Sequence, residues 1–106
     1  MAAAARVLIC DDEAGMRGML EVLLHREGYA VQTAEGVEPA RQLLGKSLPF
    51  DVIVTDLSMP DGSGMDVLRA ARERDDATQV ILITAYATTE QAVEAMRLGA
   101  YDYIQK

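Results

Sequence analysis

Three short apolar runs each stop at a side chain able to do chemistry. Val7-Leu8-Ile9-Cys10 runs into Asp11-Asp12-Glu13, Val52-Ile53-Val54-Thr55 into Asp56, and Val80-Ile81-Leu82-Ile83 into Thr84. Runs of about four residues rich in β-branched side chains and bounded by turn residues predict strands buried on both faces. For the middle run the bounding residues are Pro49, Pro60 and Gly62. Two weaker runs, Ala30 to Thr33 and Tyr101-Asp102-Tyr103-Ile104, complete a set of five. Such strands must be covered on both sides, so the segments between them decide the fold.

Those segments carry helical spacing. Met16, Met19, Leu20, Leu23 and Leu24 recur at three and four residues from Ala14 until Gly28, which suits a C′ position. Pro39 suits the first turn of a second helix with Ala40, Leu43 and Leu44 facing the sheet and Gly45 ending it. After a Pro60 to Gly64 turn, Val67, Leu68 and Ala71 mark a third helix that closes on Arg72 to Arg74, cations favoured by the helix dipole. Thr88 with Gln91 offers a capping box for a fourth, whose apolar stripe is only Val93 and Met96 before Gly99. That thin stripe predicts a helix free to shift. Strand and helix alternate without repeats or linkers, which predicts one α/β domain: a doubly wound parallel sheet with helices on both faces.

Composition narrows the function. A net charge of −7, with Lys46 and Lys106 the only lysines, excludes a phosphate-backbone surface, so no nucleic-acid contact is expected of this domain. The lone Cys10 sits in an apolar strand and reads as a small core residue in a reducing compartment. No long apolar span or signal-type segment follows Met1 to Ala5, so neither membrane insertion nor secretion is expected and the cytoplasm follows.

In open α/β sheets ligands bind at the carboxyl ends of the strands. Asp11-Asp12, Asp56, Thr84 and, after the fifth strand, Lys106 all fall at that edge. Each has an ordinary reading: Asp56 as a loop or helix cap, Thr84 as a strand residue, Lys106 as a solvated lysine. Together they point elsewhere. Two carboxylates about 4 Å apart repel by roughly 4 kcal/mol at an effective dielectric of 20, so the cluster calls for a cation. Oxygen donors favour a hard divalent ion such as Mg2+, with Asp12 and Asp56 as direct ligands and Asp11 acting through water. A carboxylate is also a nucleophile toward phosphorus, and Lys106 with the Thr84 hydroxyl could balance charge on a transferring phosphoryl group. Asp56 is thereby a candidate for aspartyl phosphate formation.

In these residues, and in Asp56-Leu-Ser-Met-Pro-Asp-Gly and Thr84-Ala85, the chain resembles the receiver domain of bacterial two-component response regulators over nearly its whole length. The resemblance implies a flavodoxin-like five-stranded sheet of order 2-1-3-4-5, with residues 1–106 forming a receiver that stops before the family's fifth helix. It implies that Asp56 accepts phosphate from a sensor histidine kinase. It also implies that Mg2+ is held by Asp12, Asp56 and the Ser58 carbonyl with Asp11 through water, and that Thr84 and Lys106 bind the phosphoryl oxygens. Tyr103 matches the switch aromatic that turns inward with Thr84. Ser58 and Tyr86 flank the path of attacking water and are expected to set the phosphate lifetime. The runs Ile83 to Thr88 and Gly99 to Tyr103 are similar to NtrC-like transcriptional activators, which implies an output domain, ATPase and DNA-binding, in the full-length protein, and a possible homodimer. The usual Pro after the lysine and the last helix are departures that bear on the dimer surface.

Other readings stay in view. A stand-alone phosphatase would want an acid two residues after the nucleophile, where Ser58 stands. A flavin module is disfavoured because an acidic strand edge repels the flavin phosphate, and an unphosphorylated interaction domain would be expected to lack site residues that are all present. Gly45-Lys46-Ser47 is no P-loop, since Ala40 replaces the leading glycine and the triplet ends a helix. His25 has no metal-spaced partner and reads as a surface residue. The methionines read as core filler.

Overall fold

Leu8, Ile9, Ile53, Val80 and Leu82, all fully buried, come from three strands and form the floor on which the rest of the chain packs. The computed structural model describes residues 4–46, 49–74 and 77–106. Its elements are β1 (Arg6–Cys10), α1 (Ala14–Arg26), β2 (Ala30–Ala34), α2 (Val37–Lys46), β3 (Val52–Asp56) and a two-residue pair, β4 (Ser58–Met59) and β5 (Gly62–Ser63). There follow α3 (Gly64–Arg74), β6 (Gln79–Thr84), α4 (Thr89–Arg97) and β7 (Asp102–Gln105). The main sheet has the order β2-β1-β3-β6-β7, and all its neighbours are parallel. With the small β4–β5 hairpin set aside, this is the 2-1-3-4-5 order expected. The described residues hold four α-helices, and the fold's fifth is not among them.

The two sheet faces are covered unequally. On one, Leu8, Cys10, Ile53, Val80 and Leu82 meet Ala40 and Leu44 of α2, Val67, Leu68 and Ala71 of α3, and Ala95 of α4 in one continuous core. The leucines, isoleucine and valines among them each contribute about 1.5–3 kcal/mol on full burial. On the other face α1 lies against β1 and β2, covering Val7 and Ile9. Val52, Val54, Ile81 and Ile83 stay half-buried there. The expectation of strands buried on both faces therefore holds for β1 but not for β3 and β6, because no described helix lies over that part of the sheet.

The same asymmetry corrects the reading of α1 and of the methionines. No residue of α1 is fully buried, and Met19 and Leu23 are about half exposed. Met59 and Met65 do fill the core, whereas Met96 on α4 is 51% exposed. Gly28 adopts a φ of +94 just past α1, as a C′ glycine does. Gly45 does not end α2, which runs on to Lys46, and Ser47 lies outside the described residues. One exposed glycine in a last turn costs only about 1 kcal/mol, too little to stop a helix anchored by Ala40 and Leu44. His25 is exposed, as expected.

Candidate functional site

The parallel register delivers β1, β3, β6 and β7 to one edge. Asp56 ends β3 opposite Ile83 of β6, so Thr84 lies one residue further along, and Thr84 pairs in turn with Gln105, the residue before Lys106. Glycine at position 64 lets α3 start hard against this edge. A Cβ there would strike the Asp56 carbonyl oxygen and come within 2.8 Å of Leu82 Cδ2.

Four predicted side chains converge. Asp11, Asp12 and Asp56 each present a carboxylate oxygen within 4.8 Å of the other two. Lys106 Nζ lies 3.2 Å from Asp56 Oδ2 and 3.5 Å from Asp11 Oδ2. Asp11 is buried, Asp12 exposed and Asp56 between the two. Burial pulls the Lys106 pKa down, but the hydrogen bond to Asp56 and the charges of Asp11 and Asp56 outweigh it and hold the ammonium above its ordinary 10.5. Local bonds orient the acids: Glu13 N–H donates to Asp11 Oδ1 at 2.9 Å, and Ser58 N–H reaches Asp56 Oδ1 at 3.4 Å. Thr84 is buried and its hydroxyl accepts from Tyr86 N–H at 3.2 Å, which leaves the hydroxyl proton to be donated.

Three acids against one ammonium leave an excess of two negative charges, all on oxygen. That donor set fits one hard divalent cation, and Asp12, being exposed, leaves the side open to waters that Mg2+ retains.

Sequence reasoning overlooked two contacts here. Arg17 Nη1 donates to the Asp11 carbonyl at 2.8 Å, tying α1 to the acidic loop. Gln91 Oε1 accepts from the Tyr103 hydroxyl at 3.2 Å while its backbone N–H donates to Thr88 Oγ1. The capping box did flag Gln91, though only as a helix start. Tyr103 is half-buried against the core and Tyr86 is 85% exposed.

Cys10 borders this region without joining it. Burial pushes its thiol up to about 11, opposed by the hydrogen bond with Thr55 and reinforced by Asp61, Asp11 and Asp56. A raised pKa keeps the thiol protonated at neutral pH, so native Cys10 should react with a disulfide reagent at pH 8 far more slowly than the urea-unfolded chain. Equal rates would show that the strand does not shield it.

Comparison with known proteins agrees with this edge. Residues 7–106 match the response regulator receiver domain family, and the chain belongs to it. It is 40% identical over 101 residues to the response regulator protein PilR of Pseudomonas aeruginosa, covering 95% of this chain and 22% of PilR. It is 41% identical over 106 residues to the regulatory protein AtoC of Escherichia coli, covering all of this chain and 23% of AtoC. The alginate biosynthesis transcriptional regulatory protein AlgB of Pseudomonas aeruginosa is 36% identical, with 95% of this chain and 22% of AlgB covered. These are NtrC-like regulators, and the chain spans under a quarter of their length.

Solved structures agree. A CheY-like receiver domain protein from Methanospirillum hungatei superposes with a TM-score of 0.92 at 28% identity, covering 97% of this chain and 82% of that one. TrrA from Thermotoga maritima, solved with Mg2+-BeF, gives 0.84 at 31%, covering 96% and 86%. A response regulator from Burkholderia pseudomallei, solved with a phosphorylated aspartic acid and a calcium ion, gives 0.90 at 30%, covering 96% and 59%. The chain is thus a signalling domain of two-component systems, of the kind found in transcriptional regulators.

Proposed function

We propose that Asp56 is the phosphoacceptor of this receiver and that a sensor histidine kinase is its phosphodonor. The observation that carries the reading is the Lys106 ammonium lying against both Asp56 and Asp11, at the rim of three convergent carboxylates. An Asp56 oxygen attacks phosphorus, the new O–P bond forms as the P–N bond to the donor imidazole breaks, and the imidazole leaves with the electron pair. Lys106 and the Thr84 hydroxyl then face the phosphoryl oxygens as donors. Asp12, Asp56 and the Ser58 carbonyl would hold Mg2+, with Asp11 through water. When bound, the ion neutralises charge on the transferring group. The phosphorylated aspartate and the Mg2+-BeF seen in the two related structures support the same assignment. The chain would catalyse only its own phosphorylation and dephosphorylation, and Ser58 and Tyr86, both exposed, would flank the path of the attacking water.

The output follows from α4. Its only fully buried residue is Ala95, so few contacts resist its movement. A phosphoryl group drawing on the Thr84 hydroxyl would pull at Tyr86, and inward rotation of Tyr103 would give up its bond to Gln91. Phosphate thereby biases a two-state surface made by α4 and β7. Exposed Val93 and Met96 of α4 and Tyr101 just ahead of β7 give that surface apolar character suited to an output domain or a second copy of the chain. In this reading residues 1–106 are the receiver portion of a cytoplasmic transcriptional regulator whose ATPase and DNA-binding parts lie outside them. No helix among the described residues is long and apolar enough to cross a membrane.

The test is intact-mass measurement after incubation with a small phosphodonor. The wild-type chain should gain one phosphoryl group with Mg2+ and none under chelation. Absence of any gain with Mg2+ present would remove the proposal.

A further inference from the structure

Asp61 has no part in the chemistry above, yet it is bound more fully than its exposure suggests. It occupies the turn of the β4–β5 hairpin, across from the start of α2. Val37 N–H donates to its Oδ1 at 2.9 Å and Glu38 N–H to its Oδ2 at 3.0 Å. The residue ahead of α2 is Gly36, which has no side chain to cap the helix, so the cap comes from a different loop. The fit is close, because a Cβ on Gly36 would lie 2.8 Å from Asp61 Oδ1. The bonds from Glu38 and then Val37 hold the Asp61 carboxyl below its ordinary range.

Two further contacts join the same pieces. Cys10 Sγ donates to the Gly36 carbonyl at 3.3 Å and lies 3.6 Å from Met59 Sδ. A Cβ on Gly62 would meet Val37 Cγ2 at 3.1 Å. The hairpin itself is a ladder of two pairs, Ser58 with Ser63 and Met59 with Gly62. A ladder that short cannot hold its own geometry, so its anchors decide where Ser58 sits.

Resting on the reading of Asp56 and its metal above, we infer that Asp61 is a positioning residue for the metal site. By clamping the hairpin to α2 it keeps the Ser58 carbonyl beside Asp56. Metal affinity should depend on it as affinities depend on groups that orient direct ligands.

The experiment titrates Mg2+ into the wild-type chain, Asp61→Ala, Asp61→Asn and Gly36→Ala by calorimetry, and follows phosphorylation by a small phosphodonor across the same Mg2+ range. Melting curves under chelation report folding of each variant. Asp61→Ala should bind Mg2+ about tenfold more weakly, with the half-saturating concentration moving more than the plateau rate. Asp61→Asn keeps an amide oxygen to accept one N–H and should recover part of the loss. Gly36→Ala, which crowds the carboxylate, should weaken Mg2+ in the same direction. A lower melting temperature with an unmoved Mg2+ midpoint in Asp61→Ala or Asp61→Asn would make Asp61 a helix cap alone and overturn the inference. A wild-type chain that neither binds Mg2+ nor gains phosphate would instead overturn the reading on which it rests.

Discussion

Replacing Asp56 with Asn should abolish phosphoryl incorporation while leaving the metal-free protein at least as stable as before. The amide is close in shape and can still accept the Ser58 N–H, so the loop has no cause to move. What changes is charge. At a dielectric of 20, Asp56 repels Asp11 and Asp12 by at least about 3.5 kcal/mol each, their oxygens lying within 4.8 Å, and attracts Lys106 by about 5 kcal/mol at 3.2 Å. Solvent screens all three, most strongly the pair with exposed Asp12, so only the balance matters. With the Asp12 pair screened to about half its strength the two repulsions still match the single attraction, and Lys106 keeps Asp11 as a partner at 3.5 Å. The melting temperature under chelation should therefore hold or rise by a few degrees. Added Mg2+ should stabilise the variant less than wild type, because binding to the folded state is what raises stability. An Asp56→Asn protein that still gains one phosphoryl group would move the acceptor to another residue. One that melts well below wild type would mean that the Lys106 pair outweighs the repulsion.

The site's membership was legible because strand ends in a parallel sheet are neighbours. Once Val7 to Cys10, Val52 to Thr55 and Val80 to Ile83 read as strands, Asp11, Asp12, Asp56 and Thr84 had one edge to share, and Lys106 followed from the fifth strand. What escaped was anything depending on two loops meeting. The hairpin of Ser58–Met59 with Gly62–Ser63 is too short to show a period of two. The cap on α2 comes from Asp61, far along the chain, which no local spacing around Pro39 reports. Similarly, the spacing of Met19, Leu23 and Met96 reported a helix but not what lies over its apolar side, since periodicity carries no information about the facing layer. The half-buried β3 and β6 face belongs to the same class of omission.

That unequal covering makes the second large effect one of stability. Leu82→Ala should destabilise the fold by about 3–4 kcal/mol, since Leu82 is fully buried in the middle of β6 and a deletion there leaves a cavity that the packed helices cannot close. For a domain of this size that is a fall of about 12–24 °C in melting temperature. Val54→Ala on β3 makes the opposite case. Two carbons at about 0.8 kcal/mol each, half-exposed at the outset, amount to about 0.8 kcal/mol. Thermal and urea unfolding followed by circular dichroism would measure both. Equal losses would mean that the α1 side of the sheet is packed as tightly as the side carrying α2, α3 and α4. The contrast matters for signalling. Leu82 Cδ2 lies where a Gly64 side chain would go, beside the Asp56 carbonyl, so the close-packed face is also the one that seats Asp56, the proposed phosphoacceptor. Rigidity is concentrated behind Asp56, while α4, with only Ala95 fully buried, is left free to respond.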